Sequence, residues 1–277
     1  MSRPNISIIT PSYNQARFLV QAIESVTNQN CASVEHIVVD GASRDDSVAI
    51  LKEYSSKPGW QHLRWISEPD RGQSDALNKG IGMATGELIG WLNSDDRYRP
   101  GCFDAVFAAA RRYPQDHVYY GDYTWIDSCG RYLQVRREIE FSRFVLGYHH
   151  VLYIPTTSTF FRRKIFEEGN WIDTRYDYAM DYEFFLRLSA TGYCFRHIPE
   201  LLADFRWHSQ SKSSSATAKQ LAEHDEIARR YSALLRNMPT GLPLTATRSG
   251  LRLLAAGRRY AEKLCRGYYF EQYHPAK

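Results

Sequence analysis

Short apolar runs alternate with amphipathic stretches through the first hundred residues, and this alternation constrains the fold more than any other feature. Predicted strands cover residues 6–10, 34–40, 63–67 and 87–92, and predicted helices cover 16–29, 44–54 and 74–84. Successive strands joined by crossover helices pair in parallel with right-handed connections. The sequence therefore predicts an α/β fold with a Rossmann-like, mainly parallel central sheet flanked by helices.

The pattern changes after Pro100, where strands no longer alternate regularly with helices. Predicted strands cover 117–123, 131–139 (at an edge), 156–161 and 193–198, and predicted helices cover 102–113, 163–168, 180–191 and 219–236. The polar segment 209–215 is predicted to be a mobile loop. We expect a second half of mixed strand direction, followed by a helical tail.

Composition narrows the class of protein. A chain of 277 residues with 43% hydrophobic content can bury one sizeable core. No apolar run reaches the roughly 20 residues of a membrane-spanning helix, and the first residues lead into a strand, which predicts a cytoplasmic protein without a signal peptide. Five dispersed cysteines without a Cys-x-x-Cys pair argue against a disulfide framework or a zinc site. The net charge of +4 is too mild to indicate a nucleic-acid partner.

Two adjacent carboxylates, Asp95 and Asp96, mark a candidate site. They lie just beyond the predicted strand 87–92, at its carboxyl end, where open α/β sheets bind ligands. Mg²⁺ and Mn²⁺ take carboxylate oxygens and complete their coordination with phosphates and water, so one or two acids are enough. Adjacent aspartates before a Pro-Gly pair are also ordinary turn residues, which leaves both interpretations open.

The loops after the first two strands carry further candidates. The first lacks the Gly-x-Gly-x-x-Gly sequence of dinucleotide-binding folds and reads Thr10-Pro11-Ser12-Tyr13-Asn14 instead. Tyr13 can stack on a base and Asn14 can form a hydrogen bond or cap the next helix, although the same residues suit a simple turn. Asp40 ends the second strand and can accept an N–H of a base or hydroxyls of a ribose, or cap the next helix.

Charged and small residues are dense between positions 68 and 80. Arg71 and Lys79 can contact phosphate, and Ser74 can cap a helix whose amino end attracts anions. Alternatively, the segment is a solvated helix start in which Asp75 and Lys79 pair at i, i+4.

The order and spacing of four stretches are those of family 2 glycosyltransferases with the GT-A fold. These stretches are 10–14, 38–43, 68–80 and 93–96. The chain resembles that family from about residue 6 to residue 214, most closely up to Pro100. The resemblance implies a bound nucleotide held by Tyr13 and Asp40.

The resemblance also implies a divalent cation, Mn²⁺ or Mg²⁺. The family's Asp-x-Asp motif corresponds to Ser94-Asp95-Asp96, with Ser94 in place of the first acid. The resemblance then implies Asp96 as the main metal ligand. Asp95 would contact the ribose or the diphosphate, or share the metal contact. His208 lies in a segment similar to the family's loop over the diphosphate and can reach the metal or a phosphate, or simply pack or cap.

The catalytic base of the family is an acid at the start of an acceptor-side helix, which the run from Met180 to Leu188 matches. The resemblance implies Asp181 as the base, with Met180 in place of the usual Glu and Glu183 as the fallback. Asp181 shares a helix face with Phe184, so we expect it to point inward, where burial raises the pKa of a carboxylate toward neutrality. A plain helix N-cap is the alternative.

The resemblance implies an inverting, metal-dependent transfer of a sugar from a UDP-, GDP- or dTDP-linked donor to a hydroxyl of a carbohydrate or lipid-linked acceptor, as in bacterial surface polysaccharide or glycolipid assembly. A non-catalytic sugar-nucleotide-binding module and a sugar nucleotidyltransferase are the alternatives. The implied nucleotide-sugar-binding residues are Thr10, Pro11, Tyr13, Asn14, Asp40, Ser43, Asp70, Arg71, Gln73, Asp75, Lys79, Asn93, Ser94 and Asp95. The implied domains are 1–215, divided into a nucleotide-sugar-binding half (1–100) and an acceptor-binding half (101–215), and a basic helical extension (216–277).

From Arg229 onward, arginine and lysine accumulate among leucine and tyrosine while acids become rare. Such a segment can lie on an anionic membrane surface, which would make the protein peripheral to the membrane and bring it to a lipid-linked acceptor. Alternatively, it is a solvated helix face that docks on the core or on another subunit.

Overall fold

The computed structural model describes residues 5–29, 33–149, 151–208 and 218–271. Cys31 and the predicted mobile loop at 209–215 lie outside these ranges.

One sheet organises the described residues, with strand order β3-β2-β1-β4-β8-β6-β9-β5 and β7 added beside β6. The strands are β1 (Ile6–Ser12), β2 (Val34–Asp40), β3 (Leu63–Ser67), β4 (Leu88–Trp91), β5 (Arg97–Tyr98), β6 (Val118–Ile126), β7 (Tyr132–Arg136), β8 (Thr159–Arg162) and β9 (Phe195–Arg206). The helices are α1 (Ala16–Thr27), α2 (Ser47–Ser56), α3 (Gln73–Met83), α4 (Cys102–Arg112), α5 (Arg143–Tyr148), α6 (Lys164–Glu167), α7 (Met180–Ala190), α8 (Ala218–Tyr231), α9 (Ala233–Arg236), α10 (Leu242–Cys265) and α11 (Tyr268–Glu271). The predicted α/β class is confirmed.

The first half of the sheet is parallel. β1 lies between β2 and β4 and pairs with both in parallel, and β3 pairs with β2 in the same direction. The predicted bounds of β2 and β3 are confirmed, but β1 continues through Pro11 to Ser12 instead of ending at Thr10. The pairing of β1 with β4 stops at Ile9, so the missing N–H of Pro11 costs no hydrogen bond on that side.

The second half is mixed, as predicted. β8 lies antiparallel between β4 and β6, and β6 pairs in parallel with β9. β9 continues beyond Ile198, its predicted end, to Arg206. The register against β6 shifts beside Gly121, where an added Cβ would collide with Leu202. This irregularity carries the strand past Pro199, which directly follows the predicted end.

Short elements and a helix break were not predicted. α5 and β5 are too short to produce a recognisable periodicity. The predicted helix 219–236 is two helices, because Ser232 adopts an extended conformation and its hydroxyl accepts the amide of Leu235 as the cap of α9. The predicted strand 156–161 begins with a 3-10 turn, Thr156–Ser158, before β8.

Apolar layers cover both faces of the sheet. One face packs against α3 and α7, with Phe161 and Phe184 in the cluster, and the other packs against α1 and α4, with Phe103 and Phe160. Phe160 and Phe161 are neighbours in β8 and point to opposite faces, as strand alternation requires. The helices α3, which carries Gln73, Asp75 and Lys79, and α7, which carries Asp181, therefore share one face.

The C-terminal helix α10 docks on the domain through a buried ion cluster. The Glu138 carboxylate lies 2.7 Å from Arg259 Nη2 and 3.2 Å from Lys263 Nζ, and all three residues are buried. Burial lowers the pKa of Lys263 to about 8, even though the carboxylate of Glu138 acts to raise it. Part of the basic tail is thus used for docking on the core. No helix among the described residues is both long and apolar enough to cross a membrane.

Replacing Glu138 with Gln should lower the free energy of unfolding by about 3–5 kcal/mol, because it leaves two cations buried without their carboxylate. Glu140→Gln is the matched control: its exposed carboxylate lies 3.6 Å from Arg266, and the change should cost less than about 1 kcal/mol. Urea denaturation of both variants measures the difference. Equal losses would show that the cluster does not hold α10.

Candidate active site

The loops after β1 and β2 are tied together by side-chain hydrogen bonds. The Asn14 amide donates to Ser43 Oγ at 2.8 Å, and the Arg44 amide donates to Asn14 Oδ1 at 2.8 Å. Asn14 and Ala42 have φ values of 53° and 59°, in the left-handed region that only glycine adopts without cost. Strained backbone of this kind persists only where surrounding contacts hold it, and it concentrates at binding sites.

Asp40 is buried and organises the second loop. It accepts the Ser43 amide at 2.9 Å, the Ser43 hydroxyl at 2.5 Å and the Ser67 hydroxyl at 2.7 Å. The expectation that Asp40 caps the next helix is wrong, because α2 begins at Ser47 with Asp46 at its cap position. A contact between Asp40 and a nucleotide stays a prediction.

Tyr13 presents an exposed ring beside this loop, with 56% of its surface accessible. A Cβ added to Gly41 would lie 2.6 Å from Asp70 Oδ2 and 3.4 Å from the Tyr13 ring, so glycine lets the three approach closely. Thr10 and Pro11 are buried within the strand, and Thr10 Oγ1 lies 2.9 Å from His36 Nε2. The continuation of β1 to Ser12 thus removes the Thr10 side chain from the exposed edge.

The segment between β3 and α3 is an ion-paired helix start. Arg71 lies 3.1 Å from Asp75, and Lys79 lies 2.7 Å from Glu68 and 3.9 Å from Asp75, which confirms the salt-bridged interpretation. The Arg71 side chain remains 79% exposed. Ser74 is not the helix cap: it is buried inside α3, and Gly72 occupies the cap position with φ of 106°.

Asn93 connects this helix start to the end of β4. Its Oδ1 accepts hydrogen bonds from Gln73 Nε2 and Trp91 Nε1, both at 2.9 Å. Its Nδ2 donates to Asp96 Oδ2 at 3.2 Å. Gln73 and Asn93 are both half-buried, so this link fixes the loop that contains the adjacent acids.

Asp96 is buried and fully engaged by neutral donors. Its carboxylate accepts hydrogen bonds from the Thr157 hydroxyl, the Arg206 amide at 2.8 Å and Asn93. Burial, and then the neighbouring charge of Asp95, raise the pKa of Asp96 to about 8. The carboxylate of Asp96 thus holds three separate segments together, and the metal contact predicted for Asp96 stays a prediction.

Asp95 is the more accessible acid of the pair. Its carboxylate lies 3.0 Å from His208 Nε2, and its side chain is 19% exposed. The His208 ring packs against Phe18 of α1, with ring centroids 4.9 Å apart. The buried Arg206 side chain donates to the Asp95 carbonyl oxygen at 2.7 Å and so fixes the backbone of the pair.

A carboxylate oxygen and an imidazole nitrogen side by side form a donor set that suits Mn²⁺. Within the described ranges, no three His, Cys, Asp or Glu side chains converge to hold a metal on their own. A cation at Asp95 and His208 would therefore take its remaining ligands from phosphate oxygens and water, as hard cations commonly do.

Two contacts at this site were not predicted, namely those of Arg206 and Thr157. Arg206 lies two positions before His208 in the sequence, and this position was the only available signal. Nothing in the sequence around Thr157 indicates that its hydroxyl contacts Asp96, because the two positions lie on different segments.

Asp181 lies in the first turn of α7, close to the start of α3. Ser74 Oγ lies 2.9 Å from the sulfur of Met180, which brings the two helix starts together. Asp181 is not the N-cap, since Ala179 occupies that position. It is half-buried rather than enclosed as expected, because the inward side of the turn is filled by Met180 and Glu183.

The fallback acid, Glu183, is engaged in a buried network. It lies 2.9 Å from Arg187 and accepts a hydrogen bond from the Tyr231 hydroxyl at 2.5 Å. Its side chain is 1% exposed, so it cannot reach a substrate without breaking these contacts. This geometry favours Asp181 over Glu183 as the acid that faces a ligand.

Glu223 of α8 supports the start of α7. Its carboxylate accepts the amides of Asp177 at 3.3 Å, Tyr178 at 2.9 Å and Ala179 at 2.9 Å. The Ala179 amide belongs to the cap position of α7, and the other two amides lie in the turn just before it, so the Glu223 charge sits at the amino end of the helix, where a negative charge is stabilising. A residue of the C-terminal part thus positions the helix that carries Asp181.

The sheet and the site at its edge define a GT-A fold, which the solved structures show independently. Staphylococcus aureus TarS 1-349 in complex with UDP-GlcNAc aligns with a TM-score of 0.68 at 16% identity, covering 93% of this chain and 73% of that chain. The mannosyltransferase PcManGT from Pyrobaculum calidifontis, in complex with GDP-Man and Mn²⁺, aligns with a TM-score of 0.59 at 17% identity, covering 98% and 83%. At these identities the similarity shows the fold alone.

Sequence relatives show the family. The model of glycosyl transferase family 2 matches residues 7–169. An uncharacterized glycosyltransferase of Mycobacterium tuberculosis is 35% identical over 192 residues, which cover 67% of this chain and 69% of the relative. Chondroitin synthase from Escherichia coli is 26% identical over 234 residues, covering 81% of this chain and 32% of that protein. The chain belongs to glycosyl transferase family 2, as its motifs predicted.

Changing Glu223 to Gln should destabilise the start of α7 by about 1–3 kcal/mol, because it removes a charge that accepts three amides. Glu226→Gln is the matched control on the same helix; its exposed carboxylate accepts a single bond from Tyr176, and its loss should cost less than about 1 kcal/mol. Hydrogen exchange of the amides of residues 177–179, together with thermal unfolding, measures the effect. Unchanged protection in Glu223→Gln would refute the capping role.

Proposed function

We propose that this protein is an inverting, metal-dependent glycosyltransferase that moves a sugar from a nucleoside-diphosphate donor to an acceptor hydroxyl. The observation that carries the proposal is the convergence at one sheet edge of three features: the exposed Tyr13, the Asp95–His208 pair and the α7 start with Asp181. We place the donor in residues 1–100, the acceptor in 101–215, and treat 216–277 as an extension docked on the second half.

The donor nucleotide would lie across the loops after β1 and β2. Tyr13 offers a ring for the base, and Asp70 lies beside it at Gly41. The exposed Arg71 can meet the diphosphate charge. TarS and PcManGT have been solved with UDP-GlcNAc and GDP-Man, and we extend a nucleotide-sugar donor from them to this chain.

The metal ligands proposed for this chain are Asp95 and His208. The buried Asp96 would fix the loop that carries Asp95 through its hydrogen bonds. When bound, Mn²⁺ or Mg²⁺ would stabilise negative charge on the departing diphosphate. Arg206 fixes the Asp95 backbone, so the pair is positioned before any ligand arrives. PcManGT, which shares the fold, has been solved with Mn²⁺.

Asp181 would act as the general base. It takes the proton of the acceptor hydroxyl as that oxygen attacks the anomeric carbon and the bond to the nucleoside diphosphate breaks, with inversion and no covalent intermediate. Met180 does not indicate a decayed site, because its side chain packs in the core and contacts Ser74 while Asp181 stays accessible. This arrangement favours an enzyme over a non-catalytic binding module. The role we propose in the cell is bacterial surface polysaccharide or glycolipid assembly.

Replacing Asp95 with Asn should weaken Mn²⁺ binding at least about tenfold, because it removes the charged ligand next to His208. Asp96→Asn should weaken Mn²⁺ binding less than Asp95→Asn does, because the Asp96 carboxylate faces buried donors and positions the pair without facing the exposed edge. Isothermal titration with Mn²⁺ in the presence of UDP or GDP measures both. If Asp96→Asn weakens Mn²⁺ binding more than Asp95→Asn does, Asp96 is the main metal ligand.

Replacing Asp181 with Asn should lower kcat by about 10²–10⁴-fold with little change in KM for the donor, because a base acts on the acceptor and not on donor binding. Asp177→Asn, an exposed aspartate one turn earlier, is the matched control and should stay near wild type. A panel of UDP-, GDP- and dTDP-sugars with candidate acceptors, followed by nucleoside diphosphate release, provides the assay. An unchanged rate in Asp181→Asn means that the base lies elsewhere; binding of no donor at all would refute the proposed function.

A further inference from the structure

The C-terminal helix α10 has two sharply different sides. The docked side holds Leu244, Ala255, Arg259 and Lys263, all buried. The opposite side is apolar and exposed: Leu253 is 74% accessible, Tyr260 52% and Leu264 57%. In a globular domain such large side chains normally turn inward, so this face lacks the partner that its composition requires.

Exposed positive charge lies on both sides of the apolar face, at some distance from it. At about 100° per residue, Arg252 lies about 100° around the helix from Leu253 in one direction and Arg258 about 140° in the other, and both arginines are exposed. Glu262 is the single acid of α10 and lies toward the docked side, 3.1 Å from Arg266, where it also accepts the Glu140 amide. The exposed residues on either side of the apolar stripe therefore include cations, and the single carboxylate of α10 lies toward the docked side.

More positive charge lies near the start of the same helix. A groove of about 540 Å³ between α8, α9 and α10 is lined by Arg229, Arg230, Arg236 and Arg248 together with Asp225 and Glu226. Asp225 pairs with Arg248, and Glu226 accepts the Tyr176 hydroxyl. The arginines outnumber the acids, so the surroundings of α10 reinforce the charge on its flanks.

We propose that the exposed face of α10 lies on an anionic lipid surface, with its leucines and Tyr260 among the acyl chains and its flanking arginines at the headgroups. An apolar stripe edged by arginine is the arrangement of helices that lie in the plane of a membrane interface. A second copy of the chain is a poorer occupant, since symmetric pairing of α10 would bring the arginines of both copies together. The complementary charge is that of phosphatidylglycerol-like headgroups.

This orientation would also bring the second half of the chain close to the membrane. Tyr182, the neighbour of Asp181 in α7, lines a small cavity together with Arg248 and Arg252 of α10. The face that touches lipid is therefore one helix layer from the proposed base. In this respect the inference rests on the proposed function, and it specifies a lipid-linked class of acceptor.

The test is sedimentation of the full chain with vesicles of phosphatidylcholine alone or mixed with phosphatidylglycerol at about three to one. We expect the protein to pellet with the mixed vesicles and to stay in solution with the neutral ones. Two double variants should each weaken the association about tenfold or more. One replaces the apolar residues, Leu253→Ser with Leu264→Ser, and the other replaces the arginines, Arg252→Gln with Arg258→Gln. These changes leave the buried Glu138 cluster intact, so folding is preserved, and circular dichroism checks it.

Matched controls use exposed residues elsewhere. Leu221→Ser with Leu234→Ser, on α8 and α9, and Arg111→Gln with Arg112→Gln, on α4, should bind as wild type does. Equal binding of all variants, equal binding to neutral vesicles, or no binding to either would overturn the proposal. Sedimentation velocity tests for a dimer. If the wild type is a dimer and the double variant Leu253→Ser, Leu264→Ser is a monomer, the face belongs to a second copy, and this result would overturn the proposal as well. Donor turnover assayed without vesicles tests the proposed function separately, so the two failures are distinguishable.

Discussion

The buried carboxylate of Asp96 is the contact on which the arrangement of the site depends. It joins the loop after β4, the turn before β8 and the end of β9, three segments that are distant in the chain. A buried carboxyl group is stable only when its oxygens are satisfied, and here each donor comes from a different part of the sheet. The junction between the parallel and mixed halves is thereby fixed at the position where Asp95 and His208 meet.

The same principle applies to the loops around it. Asp40 is buried and forms its hydrogen bonds with Ser43 and Ser67. Tyr13 and Gly41, which lie in the adjoining loops, stay accessible to a ligand. Glu223 plays the corresponding part for α7. In each case an inner acid holds backbone amides or hydroxyls, and a neighbouring residue faces outward. Sites built in this way are preorganised, because the exposed groups do not need to be ordered when a ligand binds.

Local sequence patterns predicted much of the fold and the position of the candidate site. They did not predict which of its residues are buried supports and which are accessible. β2 and β3 follow their apolar runs residue for residue, since both pair on regular parallel ladders. β9 was predicted too short, because the irregularity beside Gly121 that carries it past Pro199 depends on β6. Likewise, Arg206 lies more than a hundred positions after the two adjacent acids, and its amide helps to hold Asp96 inward while Asp95 stays accessible. No local pattern contains that information.

Among the residues that hold Asp96, Arg206 is the last to be synthesised. Until β9 pairs beside β6, the backbone of Asp95 lacks its side-chain donor, and Asp96 lacks the amide that accompanies Thr157. Contacts of such long sequence separation form late in folding, after the local units of the first half. A partly synthesised chain can therefore build the parallel strands of the first half without completing the carboxylate-imidazole pair. The Asp95–His208 pair is thus complete only when both halves of the sheet have formed.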